Sequence, residues 1–376
     1  MNLNISKVES KSDVKRFIYF PHELYKADPN YVPELYLNIS EVLSKKKNPF
    51  FKHSTAELFL ATNSNGEVVG RVAAILDNNY NSHHESNVGF FGFFDVIEDY
   101  EIAARLLDTA IEWVKAKGVD RILGPTNFTT NDTAGMLIDG YDSPPTAMMT
   151  YNRPYYNDFV TRYGFGKEMD LFAYYIPTVG VNEKSLRLAQ MLQERLLRKG
   201  ITIRTSTKKN KKSDIVKIKD VYLKAWEKNW GFVPPTDAEF DQLAEGLKMV
   251  LDARYNFVAE HNGKMIGFAV GLPNINEILI NMKRGRLFPF GIFKLLLGKK
   301  KTKVLRIVLL GVFEEYRSMG VAAVFFANFI KAARAHGLEG GEASWVLENN
   351  DMMVRGAENL NGEKYKTYRI YSKNIT

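Results

Sequence analysis

The stretch Val312-Phe-Glu-Glu-Tyr-Arg-Ser-Met-Gly-Val-Ala322 closes an apolar run that begins at Val304 and opens a helical pattern that lasts to Ala335. Where a strand runs into a helix, the first N–H groups of the helix lack a carbonyl partner, and the helix dipole adds positive potential. Such a turn suits an anion, above all a phosphate, and Gly320 allows close approach to the backbone. The string Arg317-x-x-Gly320-x-Ala322 is short, and a plain helix start with a packing glycine looks the same. A second group of polar and aromatic residues has the types that contact a substrate: the loop Asn127-Phe-Thr-Thr-Asn131, then Asp139, Tyr141 and Tyr151. Six scattered histidines include one pair, His83-His84; read on a strand, these point to opposite faces, which disfavours a metal site. The absence of cysteine removes thiolate ligands, disulfides and cysteine nucleophiles.

Two similar series of elements must position these residues. In the first, helical patterns over 12–24 and 32–45 precede a hairpin of Glu57–Thr62 and Val68–Ile75 around Asn63–Gly66. A strand over 88–96, a helix over 100–117, a short strand at 121–125, a helix over 154–163 and a strand over 170–176 follow. The second series runs through a helix over 214–228, a hairpin around His261-Asn-Gly263, a strand over 304–312 and a helix over 322–335. It ends with a strand at 343–347, a short helix over 351–360 and a strand over 365–371. With a constant offset, Ala103, Ala104, Ile111, Lys115, Ala116 and Gly118 fall on Ala322, Ala323, Ile330, Arg334, Ala335 and Gly337, as expected of an internal duplication. The halves divide as 1–180 and 214–376, joined by an amphipathic helix over 186–199 and a basic run, 208–213, read as an exposed hinge.

A chain of 376 residues with 45% hydrophobic content can fill two cores. The net charge of +8 is local: between Ile278 and Phe313 there are nine basic residues and no acidic one, leaving 42 basic against 43 acidic elsewhere. No signal peptide or membrane-spanning run is present, so a soluble cytoplasmic protein is expected.

The loop from Val312 to Ala322 resembles the acyl-CoA pyrophosphate loop of the GNAT N-acyltransferase superfamily, in which a strand and a short acidic turn lead to Arg/Gln-x-x-Gly-x-Gly/Ala at a helix start. The resemblance extends by element order over 214–371, and over 12–176 as a degenerate copy. It implies an α/β fold with a mixed sheet, duplicated in tandem, and acetyl-CoA or another acyl-CoA as cofactor. The pantetheine arm would lie near Leu310, Gly311, Val312 and Phe313. The pyrophosphate would lie on the amides of Ser318, Met319, Gly320, Val321 and Ala322 beside Arg317, with Asn349 and Asn350 flanking it. The family's usual proton-donating tyrosine would fall at Gly356 or Ala357, so this chain departs from the pattern. Tyr365 and Tyr368 are the substitutes on the following strand, and Glu348 is the candidate base. In the first half Glu101 stands where the phosphate loop would be, and its charge repels pyrophosphate. That half is left as the wall for an acceptor, with Asn127, Asn131, Asp139, Tyr141 and Tyr151 as candidate contacts.

The function implied is acyl-CoA-dependent transfer of an acyl group to an amine, small or lipid-like. Transfer from acyl carrier protein or aminoacyl-tRNA is the alternative enzyme reading, and a non-catalytic CoA-binding module the third. The basic insertion over 278–303 mixes cations with bulky apolar residues. It reads as a packed loop, a lid over an acyl chain, a dock for acyl carrier protein or a contact with an anionic membrane. Its aliphatic rather than stacking character disfavours nucleic acid.

Overall fold

The computed structural model describes residues 3–207 and 210–375. The first half contributes β1 (Asn4–Lys7), α1 (Lys11–Leu24), α2 (Tyr36–Val42), β2 (Thr55–Thr62), β3 (Val68–Leu76), α3 (Asn78–His84), β4 (Val88–Val96), α4 (Tyr100–Lys115), β5 (Arg121–Gly124), β6 (Met136–Asp139), α5 (Tyr155–Arg162) and β7 (Gly166–Pro177). The second half begins with α6 (Glu183–Arg198), β8 (Ile201–Thr205), α7 (Lys211–Trp226), α8 (Asp237–Leu247), β9 (Asn256–His261) and β10 (Lys264–Pro273). After α9 (Asn276–Leu279) and α10 (Gly291–Gly298) come β11 (Val304–Val312), α11 (Glu314–Arg317), α12 (Val321–Ala335), β12 (Gly340–Leu347), α13 (Asp351–Glu358) and β13 (Glu363–Asn374).

All the strands join one mixed sheet in the order β1-β2-β3-β4-β5-β13-β7-β12-β11-β10-β9-β8, with β6 paired on β13. Five strands run inward from each edge in chain order, so the duplication is visible in the topology. The pairs β4–β5 and β11–β12 are parallel, and each is bridged by the long helix that parallel strands require, α4 and α12. The last strands are exchanged: β13 of the second half lies against β5 of the first, and β7 of the first lies against β12 of the second. The sheet therefore has no break between the halves, which complete each other, and residues 183–205, expected as a connection, supply α6 and the edge strand β8 of the second half.

Local chemistry accounts for the elements. Ser10 and Asp13 form a reciprocal capping box at the start of α1, and Thr236 with Glu239 does the same for α8. Helix α4 buries Ile102, Leu106, Ala110, Ile111 and Val114 at helical spacing.

Several expectations are corrected. The helix expected over 32–45 is confined to α2, because Pro33 disfavours helical geometry at the residue before it. His83 and His84 lie on helix α3 rather than a strand; the Asp77 carboxylate accepts from the amides of Asn79 and Tyr80 at 3.0 and 3.1 Å and starts that helix. Of the basic run read as a hinge, Lys208 and Lys209 lie outside the described residues, and Lys211 already begins α7.

Candidate active site

Parallel pairing of β11 with β12 runs from Val304↔Gly340 to Ile307↔Ala343 and then stops, so the two strands splay. Arg306, buried at the root of the splay, takes over part of the lost bonding. Its Nε donates to Ser344 Oγ (3.0 Å), one Nη to the Ser344 carbonyl (3.3 Å) and the other Nη to the Ala147 carbonyl (2.6 Å), which belongs to the first half. Glu342 lies 3.9 Å from the guanidinium and is fully buried; it accepts hydrogen bonds from Thr146 Oγ1 (2.6 Å), the Ser344 hydroxyl and the Tyr365 hydroxyl. Burial lowers the Arg306 pKa, and the Glu342 charge opposes that shift.

The splay opens into a cavity of about 210 Å³, walled by Ile307 to Leu310 on one side and Ala343 to Leu347 on the other. Trp226, Trp230, Trp345 and Asn350 complete much of it, and Trp226 Nε1 donates to the Leu310 carbonyl at 3.0 Å. The first half has a counterpart. Its parallel pairing stops at Phe90↔Leu123, and a cavity of about 340 Å³ lies beside the freed end of β4. Here Arg71 pairs with Asp95 at 2.7 Å, and the hydroxyls of Tyr25 and Tyr156 lie 3.2 and 3.3 Å from the Asp95 carboxylate. Glu34, an exposed residue, also lines it.

The two cavities share a wall made of Asn131, Asp132, Thr133, Met148 and Leu243. Both halves hold this loop in place. Asn127 accepts from the Phe93 amide (2.9 Å) and donates to Thr133 Oγ1 (2.9 Å), Asn131 donates to the Val233 carbonyl (2.6 Å), and Thr130 donates to the Gly231 carbonyl. Asp132 has one carboxylate oxygen 3.4 Å from the Thr129 amide and hydroxyl; among the described residues the other accepts nothing. Asp132 is an exposed residue on the wall of both cavities. Partial desolvation by the surrounding protein pushes its pKa up to about 7, with the charges of Glu239 and Asp77 adding to the effect and the Thr129 bonds opposing it.

The remaining candidates separate. Asn127 and Tyr151 line the first-half cavity, and Tyr151 donates to Asp28 at 2.9 Å. Asp139 and Tyr141 lie outside both cavity linings; Tyr141 donates to the Leu137 carbonyl at 2.6 Å, and Asp139 pairs with Thr367 in the sheet. Glu348 is tied to Lys167 (2.6 Å) and accepts from the Asp170 amide (3.0 Å), and it is not among the residues lining either cavity. Burial and the Glu342 carboxylate hold the Tyr365 phenol far above its ordinary pKa. Tyr368 is fully buried without a hydrogen-bond partner, its ring edge-on to Trp345. Asp132 itself was not singled out by its sequence context, although its neighbour Asn131 was.

Beyond the splay, β11 leads through Phe313 and α11 to Gly320, whose φ of 85° requires the left-handed region that glycine tolerates. No side chain caps α12, so the amides of Val321, Ala322 and Ala323 lack helical partners. Ser318 is exposed and Met319 partly so. Arg317 turns back to the carbonyls of Val312 (3.2 Å) and Ala225 (2.6 Å), pinning the loop to α7. In the first half the equivalent helix start is filled: the Asp99 carboxylate accepts from the amides of Glu101 and Ile102. Open helix-start amides next to a splayed strand, present in the second half and blocked in the first, fit a phosphate-bearing thioester donor.

Comparison with known proteins agrees with this geometry. Residues 215–358 match the model of the acetyltransferase (GNAT) family. The chain is 35% identical over 379 residues to the bacterial ceramide synthase of Caulobacter vibrioides, covering 99% of this chain and 97% of that protein. It is 34% identical over 372 residues to Protein YghO of Escherichia coli, covering 97% and 94%. The chain belongs to the GNAT family. A solved tandem GNAT protein from the clavulanic acid biosynthesis pathway shares the fold over 100% of this chain and 99% of its own, with a TM-score of 0.58 and 12% identity. The matched GNAT segment contains both the splay and the open helix start, and the protein is an N-acyltransferase with a tandem GNAT fold.

Proposed function

We propose that this chain transfers a fatty acyl group from an acyl-CoA to the primary amine of a long-chain, lipid-like amino alcohol. Family membership supports N-acyl transfer, and the relative named as a ceramide synthase supports a lipid amine, since a ceramide is the fatty amide of a long-chain amino alcohol. The observation that carries the reading is the pair of cavities with one shared wall and Asp132 on it.

An acyl-CoA would supply an activated thioester carbonyl. The open amides of Val321, Ala322 and Ala323 would hold its phosphates, because those of Ser318, Met319 and Gly320, expected to share that role, already donate to the carbonyls of Tyr316 and Arg317. The open edge of β11 around Leu310 would hold its pantetheine arm, with Asn350 at the opposite wall. The amine would enter from the first-half cavity, whose carboxylates Glu34 and Asp132 attract an ammonium group. Asp132 takes the ammonium proton and frees the nitrogen for attack on the thioester carbonyl; the C–N bond forms as the C–S bond breaks, and CoA leaves as a thiolate that takes the second nitrogen proton. A base with a pKa near the working pH is suited to that transfer, and holding both reactants at one wall adds the advantage of proximity. Glu348 and Tyr365 are engaged elsewhere, Tyr368 is buried outside both cavity linings, and none of the three receives a proton-transfer role.

The direct test supplies acyl-CoA donors of graded length and a long-chain amino diol to the purified protein, with the amide product read by mass spectrometry. Amide formation that increases with donor length is expected; tight CoA binding without product across a broad amine panel would sink the reading. The donor site has its own check. Gly320→Glu is expected to weaken CoA binding about 100-fold in calorimetry, because a carboxylate would oppose the phosphates. Ser318→Glu, at an exposed residue with ordinary backbone geometry, is expected to act in the same direction while leaving the melting temperature unchanged.

A further inference from the structure

Acyl transfer gives no reason for the segment between β10 and β11. Helix α10 turns Leu295 inward onto Leu279, Met282 and Leu287. On the outside it leaves Phe293 62% exposed and Leu297 72%, and just before it Phe288 and Phe290 are 67% and 72% exposed. Large apolar side chains gathered this closely on a surface mark a contact with something apolar. Cations lie among them: Lys294, Lys300 and Lys301 are exposed and make no ion pair among the described residues, and no acidic residue occurs between 278 and 313.

The inner side of the segment is equally specific. Its small core packs against Val32, Leu35, Ile275 and Ile278. Val32, Leu35, Ile275 and Leu279 also line the first-half cavity. Gly285 seats the segment there, because its φ is 60° and a Cβ would stand 1.7 Å from the Glu34 carbonyl oxygen.

We propose that residues 286–301 dock this protein on an anionic lipid bilayer. Phenylalanine and leucine side chains enter the headgroup boundary, and lysines meet the lipid phosphates. An acidic protein surface would satisfy the lysines and leave the phenylalanines without an apolar partner, so the combination favours a bilayer. Because the docked segment shares residues with the first-half cavity, a lipid amine could pass from the membrane into the site without crossing water. Docking stands on the surface itself; this delivery role rests on the lipid-amine reading given above.

The test is co-sedimentation of the full chain with vesicles of phosphatidylcholine alone or with about 30% phosphatidylglycerol, an anionic fraction that gives a substantial surface potential. Wild type is expected to sediment with the anionic vesicles, weakly with neutral ones, and to be released by salt near 0.5 M, roughly where screening becomes strong. Replacing Lys294, Lys300 and Lys301 together by Glu is expected to lower partitioning roughly 100-fold or more, at about fivefold per cation lost. Phe290→Ser with Phe293→Ser and Leu297→Ser is expected to abolish it, with circular dichroism melts matching wild type in both variants. Failure of wild type to bind anionic vesicles, or unchanged binding by both variants, would overturn the proposal. So would a complex with a purified acidic acyl carrier protein in place of vesicle binding. Amide formation on detergent-dispersed amine is measured in parallel: vesicle binding without turnover rejects only the catalytic reading, and turnover without vesicle binding only the docking.

Discussion

Asp132→Asn is expected to lower kcat by two to four orders of magnitude, about what a positioned general base contributes, while CoA binding stays within a few fold of wild type. The pH profile distinguishes this from a packing defect. The base form of a carboxyl raised to about 7 exists only above that pH, so wild-type kcat/KM should climb through neutrality and level off, and the variant should lose that limb. An undiminished limb in the variant would remove Asp132 from the mechanism. Stability gives an opposite signature. The folded state holds the Asp132 proton more tightly than the unfolded chain, so this group favours folding only while protonated, and its contribution is lost as pH rises toward 7. Asp132→Asn should therefore melt above wild type at pH 8, with the difference shrinking as pH falls toward 4. A residue that costs stability and gains rate is the usual pattern at an active site.

Arg306→Ala is expected to be the most damaging single change to the fold, lowering unfolding free energy by about 3–5 kcal/mol. It strands Glu342 without its nearest cation and leaves the Ser344 and Ala147 carbonyls without the guanidinium donors. Arg306→Lys should recover little of this, because one ammonium cannot reach Ser344 and Ala147 in the planar geometry the guanidinium uses. Denaturant titration is the measurement, and a loss below about 1 kcal/mol would show that the pair is dispensable. Turnover should fall along with stability, since the same side chain holds the first-half loop against the splay that forms the cavity.

Much of the fold is legible because its elements carry strong local signals. The apolar run 304–312, the glycine stops after the long helices and the Asn-Gly turns identify strands, helices and hairpins without tertiary context. The helix start at Gly320 and its open amides follow from local geometry for the same reason. The base is different. Asp132 sits among asparagines and threonines in a loop that reads as solvated, and only the folding of the two halves places it on a wall shared by both cavities. Glu348 and Tyr365 show the converse: their residue types suit proton transfer, but tertiary partners, Lys167 for one and Glu342 for the other, commit them to structure. The exchanged strands also leave no mark on periodicity, since β7 and β13 would read as strands whichever half they joined.

That exchange has a consequence for synthesis. The register Tyr371↔Gly124 joins residues far apart in the chain, one made well after the other. While the second half is still being made, β5 and β7 of the first half present unpaired strand edges, the kind of surface that invites aggregation. The nascent first half must wait for β13 to be made before its own sheet can close.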